Sequence, residues 1–288
     1  MAEIVGFEID KSGIKKRIRN ALRPLRHFPW LNKKKISDAV YSLGVRKGGI
    51  LFVHSSLSGL GYIPGGACCV IESLLETIGS NGTLIMPAHS WYAMEQGCRT
   101  FDVRHTPCCV GAICELFRSF PGVLRSRHPT HSVSVYGPLS QWLIEGHEFC
   151  LAPCGEGSPY TRVLEEDCQI LFLGLGLQYN TAYHTVESLA NVPYLLNSHP
   201  DRFELIDEFG RASSTTVYRH RPGALRDASV FENYLNTQQV VVSDKANESE
   251  IHLIAGLPFR QAMLRILEKD PLYFLTTQAK AQYHESTS

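Results

Sequence analysis

Short apolar runs alternate along this chain with longer segments of helical period, and that alternation sets the first expectation for its fold. Residues 33–43 read as a short helix ended by Gly44, and residues 49–54 (Gly-Ile-Leu-Phe-Val-His) as a buried strand. Residues 66–78 read as a helix with Val70, Leu74 and Leu75 on one face, stopped by the turn Gly79-Ser80-Asn81-Gly82; residues 83–87 form the next strand. Strand, helix, strand in this order predicts a right-handed crossover and parallel pairing. Further strands are expected at 132–136, 169–174, 203–207, 214–219, 240–243 and 251–254, and a closing helix at 258–269. The later strands come without long helices between them, so the second half is expected to add antiparallel pairs to the sheet. The expected class is α/β: three α/β/α layers around a mixed, mostly parallel central sheet extended by antiparallel strands.

Composition narrows the picture. The chain has 288 residues, 44% hydrophobic and 19% charged, enough for one large core or two modest ones and far from a disordered composition. No stretch reaches the roughly 20 apolar residues of a membrane span, and the start Met1-Ala2-Glu3-Ile4 lacks the basic-then-apolar order of a signal peptide; the expectation is a cytoplasmic protein. The nine cysteines include no C-x-x-C pair, which argues against a disulfide framework or a zinc ribbon. The zero formal charge hides an asymmetry: residues 1–38 carry ten Lys and Arg against four acids, a balance of +6, leaving 18 against 24, or −6, in the rest. Ile14, Ile18, Leu22 and Leu25 recur at near-helical spacing among those basic residues. This amphipathic leader, residues 1–35, is expected to pack on the body or on a second subunit of a homodimer, or else to touch an anionic surface. The body is taken as 36–275 and the tail as 276–288. Nothing points to nucleic acid.

Three segments carry candidate chemistry. Asn180-Thr181-Ala182-Tyr183-His184-Thr185-Val186-Glu187 follows the apolar run at 169–174, so His184 is expected near the carboxyl edge of a sheet, where open α/β folds place their chemistry. Glu187, three residues on, shares its helix face and can accept from one imidazole nitrogen, leaving the other free to take a proton. A helical His beside a solvated Glu fits the same spacing. The second segment, His54-Ser55-Ser56-Leu57-Ser58-Gly59-Leu60-Gly61-Tyr62-Ile63-Pro64-Gly65-Gly66, is long for a strand-to-helix loop. Its glycines and serines let backbone approach a ligand, and the helix start after it offers N–H groups to a phosphate. It matches neither the Walker A nor the dinucleotide glycine pattern, and a plain flexible loop is the competing reading. The third, Arg125-Ser126-Arg127-His128-Pro129-Thr130-His131-Ser132, could aim two histidines inward. No carboxylate or third His has matching spacing, so anion contact or packing is favoured over metal binding.

Taken in order, these segments resemble the aminoglycoside 3-N-acetyltransferase family. The likeness rests on Val53-His54-Ser55-Ser56-Leu57 with Gly61 and Gly65-Gly66, then Gly82-Thr83-Leu84-Ile85-Met86-Pro87, then His128-Pro129-Thr130-His131-Ser132-Val133 with Gly137-Pro138 and His147, then Gly155-Glu156-Gly157-Ser158-Pro159, and last Leu171-Phe172-Leu173-Gly174 before the 180–187 segment. It covers about residues 36–270. The resemblance implies an antibiotic N-acetyltransferase-like fold, distinct from the common acetyltransferase superfamily, and direct transfer from acetyl-CoA, or another acyl-CoA, to a primary amine of an aminoglycoside or amino sugar. It implies no metal. His184 becomes the general base, Glu187 its orienter and Thr181 a hydroxyl near the thioester. His54, Ser55, Ser56, Leu57, Gly61, Gly65 and Gly66 become coenzyme contacts, joined by Arg127, His128 and Ser132.

Two departures bear on the acceptor. The basic leader lies outside the family pattern, and Pro87-Ala88-His89-Ser90-Trp91 replaces a Pro-Thr-Phe-Thr-like sequence. His89, Trp91 and Tyr92 are therefore candidates for packing on a sugar, or simply core aromatics. A nucleotide-linked or lipid-linked amino sugar is the alternative acceptor. A metal-dependent hydrolase would need His54, His128, His131 and His184 to converge on an ion, and a silent binding module would not need the His184–Glu187 pair.

Overall fold

In a computed structural model of the chain, residues 30–221 and 225–287 are described, so most of the basic leader lies outside the described residues. The body from Leu31 onward forms one unit. Leu31 is buried and Asn32 caps the helix Lys33–Ser42 by accepting from the N–H of Lys35, so this unit begins a few residues before the expected boundary at 36.

The central sheet has seven strands in the order β4 (Leu124–Arg125), β5 (Val133–Tyr136), β2 (Thr83–Pro87), β1 (Ile50–Ser55), β6 (Cys168–Leu173), β10 (Ser249–Ala255) and β9 (Val241–Ala246). Its centre, β2–β1–β6, is parallel, and antiparallel strands extend it on both sides. Every residue of β1 and β2 is buried, the mark of strands covered on both faces.

Alternation along these strands builds two cores. Phe52, Ile85, Ile170 and Phe172 point to one face, with Tyr160, Val186 and Phe259 from the helices Pro159–Glu165, Ala182–Leu189 and Gly256–Lys269. Leu51, Val53, Leu84, Leu171 and Leu173 point to the other, with Val40, Val70, Leu74 and Phe117 from the helices Lys33–Ser42, Gly66–Ile78 and Ala112–Arg118. A two-residue period sandwiched between helical periods gives the three layers.

The second half departs from expectation at one point. β9 and β10 extend the central sheet, but β7 (Asp201–Ile206) and β8 (Ala212–Val217) form a separate small sheet with β3 (Thr100–Asp102). Every second residue of β7 is buried, since only one face is covered: Phe203 and Leu205 pack on Phe101, Met94 and Val217. The expected tail at 276–288 is mostly the helix Thr277–Thr287, and its Ala279 belongs to the core. Among the described residues no helix is long and apolar enough to cross a membrane.

The parallel centre decides where a ligand can bind. The loop leaving β1 and the loop leaving β6 emerge side by side at the carboxyl edge, tied by Ser56 N–H donating to Leu173 O at 2.9 Å. Their backbones touch where neither has a side chain: a Cβ on Gly59 would fall 1.8 Å from the carbonyl oxygen of Gly174.

Candidate active site

A cavity of about 1460 Å³ opens at that edge. Its walls come from the β1 loop (His54 to Ser58 and Gly61), the β6 loop and helix start (Gly174, Asn180, Thr181 and His184), and the segment between β2 and β5 (His89, Trp91, Glu95, Cys109 to Ala112, Thr130 and His131). Asn197, Arg219, His220, Arg221 and Arg226 complete it from the far half of the chain.

His184 stands on the helix Ala182–Leu189. Tyr183 and Val186 anchor that helix: both are buried, and the Tyr183 ring lies 4.1 Å from Phe231 and 5.4 Å from Phe259. One residue on, the 100° helical step turns His184 toward the cavity. Its Nδ1 donates to Glu187 Oε2 at 3.0 Å, since an ionised carboxylate only accepts, and Nε2 is left as the nitrogen able to meet a substrate. Glu187 is fully buried and fully engaged. Besides His184 it accepts from Tyr194 Oη at 2.9 Å and from Arg226 Nε and Nη2 at 2.7 and 2.9 Å, the two-pronged contact that suits a buried carboxylate. Burial raises the carboxyl's pKa, but the His184 hydrogen bond and the Arg226 guanidinium outweigh it and hold Glu187 below the usual range. His184 is pushed down from its ordinary value, first by burial and then by Arg226, against the upward pull of Glu187. Its side chain is 24% exposed, so a neutral, solvent-reachable base is present at pH 7.

The helix start is held by an unusual acceptor. Thr181 N–H donates to His54 Nε2 at 2.9 Å, and Ala182 N–H to Asn180 Oδ1 at 3.0 Å. His54 is the last residue but one of β1, with its ring 4.5 Å from Phe52 and 5.1 Å from Phe172. Burial among these rings pushes its pKa down to about 3, so it stays neutral and keeps the lone pair that Thr181 needs. His54 thus lines the cavity while its Nε2 serves the protein.

The third cluster is mostly structural. Arg125 is buried and donates to Val103 O, Thr106 O, Ala88 O and Ser132 Oγ, pinning the segment after β2 against β5. Burial pushes it down to about 10, still cationic at neutral pH. Ser132 spends its own proton on Ala88 O at 2.6 Å. His128 Nδ1 accepts from the N–H groups of Thr130 and His131 at 3.3 and 3.1 Å. Arg127 is paired with Glu208 at 2.6 Å and Glu148 at 3.3 Å. None of Arg127, His128 and Ser132 lines the cavity, because each is committed to holding neighbouring backbone or carboxylates. Gly65 and Gly66 also lie off it: the first half of the β1 loop faces the cavity, and the two glycines take positive φ (+87° and +56°) to turn the chain into the helix Gly66–Ile78. Of the aromatic candidates, His89 and Trp91 line the cavity, whereas Tyr92, the next residue of its short helix, is 57% exposed outside it. His54, His128, His131 and His184 do not converge as one ligand set: among the described residues His131 is grouped at ligand spacing with other side chains, and His54, His128 and His184 are not.

Arg226, Tyr194 and His220 were invisible to sequence reasoning. Arg226 is 39 residues from Glu187 and sits in no motif; its bridge to Leu275, with Asp227 N–H on Phe274 O and Thr276 N–H on Leu225 O, brings it back to the site.

The family model of aminoglycoside 3-N-acetyltransferases matches residues 52–268, most of the chain. The chain belongs to the aminoglycoside 3-N-acetyltransferase family. An aminoglycoside N(3')-acetyltransferase-like protein, YokD, of Bacillus subtilis is 32% identical over 56% of this chain and 66% of its own length. Aminoglycoside N(3)-acetyltransferase IV of a Salmonella species is 34% identical over 60% of this chain and 64% of its own. The chain thus spans a little under two thirds of these curated relatives. A crystal structure of a variant of the aminoglycoside acetyltransferase AAC(3)-IVa in complex with a gentamicin superposes with a TM-score of 0.74 at 28% identity, over 87% of this chain and 93% of that one. Parts of four of the five motifs shared with the aminoglycoside 3-N-acetyltransferases, scattered from 54 to 184, therefore line one cavity, while the motif at 155–159 lies off it.

Proposed function

We propose that this chain transfers the acetyl group of acetyl-CoA directly to a primary amine of an aminoglycoside or related amino sugar, with His184 as general base. The observation that carries the reading is the chain His184–Glu187–Arg226 opening on a cavity large enough for two substrates. An alkylammonium must lose its proton before it can attack a thioester, and the neutral His184 Nε2 is a suitable acceptor at pH 7. Glu187 fixes the ring and steadies the imidazolium that forms. Arg226 keeps Glu187 ionised. Thr181 offers its hydroxyl beside the reacting carbonyl, and His54 acts through Thr181 as a positioning residue. Ser55, Ser56, Leu57 and Gly61 form the wall for the pantetheine arm. His89 and Trp91 face the acceptor.

One observation favours a second reading of the acceptor. Arg219, Arg221 and Arg226 line the cavity against Glu95 as the carboxylate among its lining residues. Arg226 is used by Glu187 and Arg219 by Asp201, but Arg221 is exposed at the rim. A nucleotide-linked amino sugar, whose phosphates would meet Arg221, suits that rim better than a polycation does. A thiol-release assay with acetyl-CoA against aminoglycosides, nucleotide-linked amino sugars and simple amino sugars tests both. Turnover with the first group supports the main reading, turnover with the second alone moves the chain to the alternative, and no turnover with any amine removes the transferase assignment.

A further inference from the structure

A group of side chains that the transfer reaction does not use lies at the wall of the same cavity. One ligand atom each of His131, Cys154 and His220 fall within 4.8 Å of one another, the one such group with metal-ligand spacing among the described residues. These three residues come from separate stretches of chain, and each is held in place. His131 has Nδ1 2.9 Å from Thr130 Oγ1, its backbone carbonyl accepts from Tyr160 Oη at 3.0 Å, and its N–H donates to His128, which leaves Nε2 available. Cys154 lies between two anchored carbonyls: Pro153 O accepts from His147 Nε2 at 3.0 Å, and Gly155 O from Thr161 Oγ1 at 2.6 Å. His220 is fixed by its β-bridge to Leu196. Its Nε2 is buried and has no hydrogen-bond partner, a cost that a native structure normally avoids unless something binds there.

We propose that His131, Cys154 and His220 bind one zinc ion, and that zinc bound there inhibits the neighbouring His184. Two imidazoles and one thiolate are the donor set of a borderline-soft ion, and three protein ligands with an open fourth position are the zinc arrangement that leaves room for water or an inhibitor. The size is right after a small contraction. A triangle with 4.8 Å sides puts its centre about 2.8 Å from each corner, roughly 0.5–0.8 Å beyond zinc–sulfur and zinc–nitrogen bond lengths. Zinc is held by a thiolate, so the Cys154 thiol must lose its proton on binding. Binding therefore forms a sulfur–metal bond and releases one proton to solvent, with no change of oxidation state, so affinity rises with pH. The fourth position faces the cavity that His131 and His220 line. The His184 ring lies 4.2 Å from His220 and 6.3 Å from His131, so the ion places positive charge beside the nitrogen that must accept a proton and occupies space an amine would use.

The binding half is independent of which acceptor the protein uses and is tested without turnover. Full-length protein, stripped with chelator, is titrated with Co²⁺ as a spectroscopic stand-in, followed by Zn²⁺ competition. The expected result is one equivalent bound with a thiolate-to-cobalt absorption band, displaced by zinc. Cys154→Ser abolishes the band, and His220→Gln weakens binding by at least about 100-fold, since even outer partners of a metal site are worth roughly 10- to 100-fold. Circular dichroism establishes that each variant is folded. Absence of the band in folded wild-type protein, or its survival in Cys154→Ser, overturns the site. For the inhibitory half, zinc is added to the transfer reaction with whichever amine proves active: loss of turnover, reversed by EDTA, is expected. Undiminished turnover at metal saturation overturns it.

Discussion

His54 and His184 flank Thr181 and share one cavity, yet their surroundings make them opposites. His54 sits between Phe52 and Phe172 with no carboxylate near it, and burial alone takes it to about 3. His184 faces Glu187 and Arg226, whose influences oppose one another, and is lowered from its ordinary value by burial first and Arg226 next. One imidazole is a fixed lone pair for a backbone N–H; the other keeps Nε2 free beside a supporting carboxylate, as the proposed base requires. What an imidazole does is therefore set by what its second nitrogen meets and by whether a carboxylate supports the cation, not by its place in a motif.

That contrast can be broken at several points. The largest effect is expected from His184→Ala: kcat falls by about 100-fold or more while the Kd for CoA, measured by calorimetry, is unchanged. Near wild-type turnover would take His184 out of the mechanism. Next comes Arg226→Gln, which removes the cation that lowers His184. The base must be neutral, so kcat/KM is full above its pKa, which lies below 6.5, and falls as pH drops through it. Losing Arg226 raises that pKa, moving the acid limb of the profile to higher pH, whereas Arg226→Lys leaves it near its original place. An unmoved limb in the Gln variant shows that the profile reports another group.

Removing the other imidazole acts on stability first. His54→Ala strips the acceptor from Thr181 N–H and is expected to cost about 1–3 kcal/mol in urea denaturation, with a smaller loss of kcat than His184→Ala. The smallest effect is a slope. The folded-state pKa of His54 lies below its unfolded value of 6.5, so its contribution is complete above about 6.5 and is lost as pH falls toward about 3. The wild-type unfolding free energy should drop with acidification by up to about 1.4 kcal/mol per pH unit for this group. Equal slopes in wild type and His54→Ala contradict this.

The sequence made the parallel centre legible because β1, β2 and β6 are continuous apolar runs separated by one clear helical period. It failed at β7 and β8: two strands with no helix between them correctly signal an antiparallel pair but cannot say which sheet takes it, and β3, three residues long, carries no signal. For the site, the pair His184 and Glu187 was readable because both lie on one turn of helix, and the first half of the β1 loop because its length and glycines are local properties. Arg226, Tyr194 and His220 were not, since their proximity is created by tertiary packing alone. Arg127, His128 and Ser132 lie off the cavity for the reverse reason: a dense polar motif resembles a ligand site, but Arg125 and its neighbours spend that polarity within the protein.

The contact between Gly59 and Gly174 has a consequence for how such an enzyme can change. Any side chain at Gly59 would strike the opposite backbone, so the β1 loop and the β6 loop move as one rigid jaw. On the proposed reading, variation that retunes the acceptor is expected in the opposing wall, where Trp91, Glu95 and Cys109 hang on a segment pinned by Arg125. A library intended to redirect this chain to a new amine should randomise that wall and leave the jaw untouched.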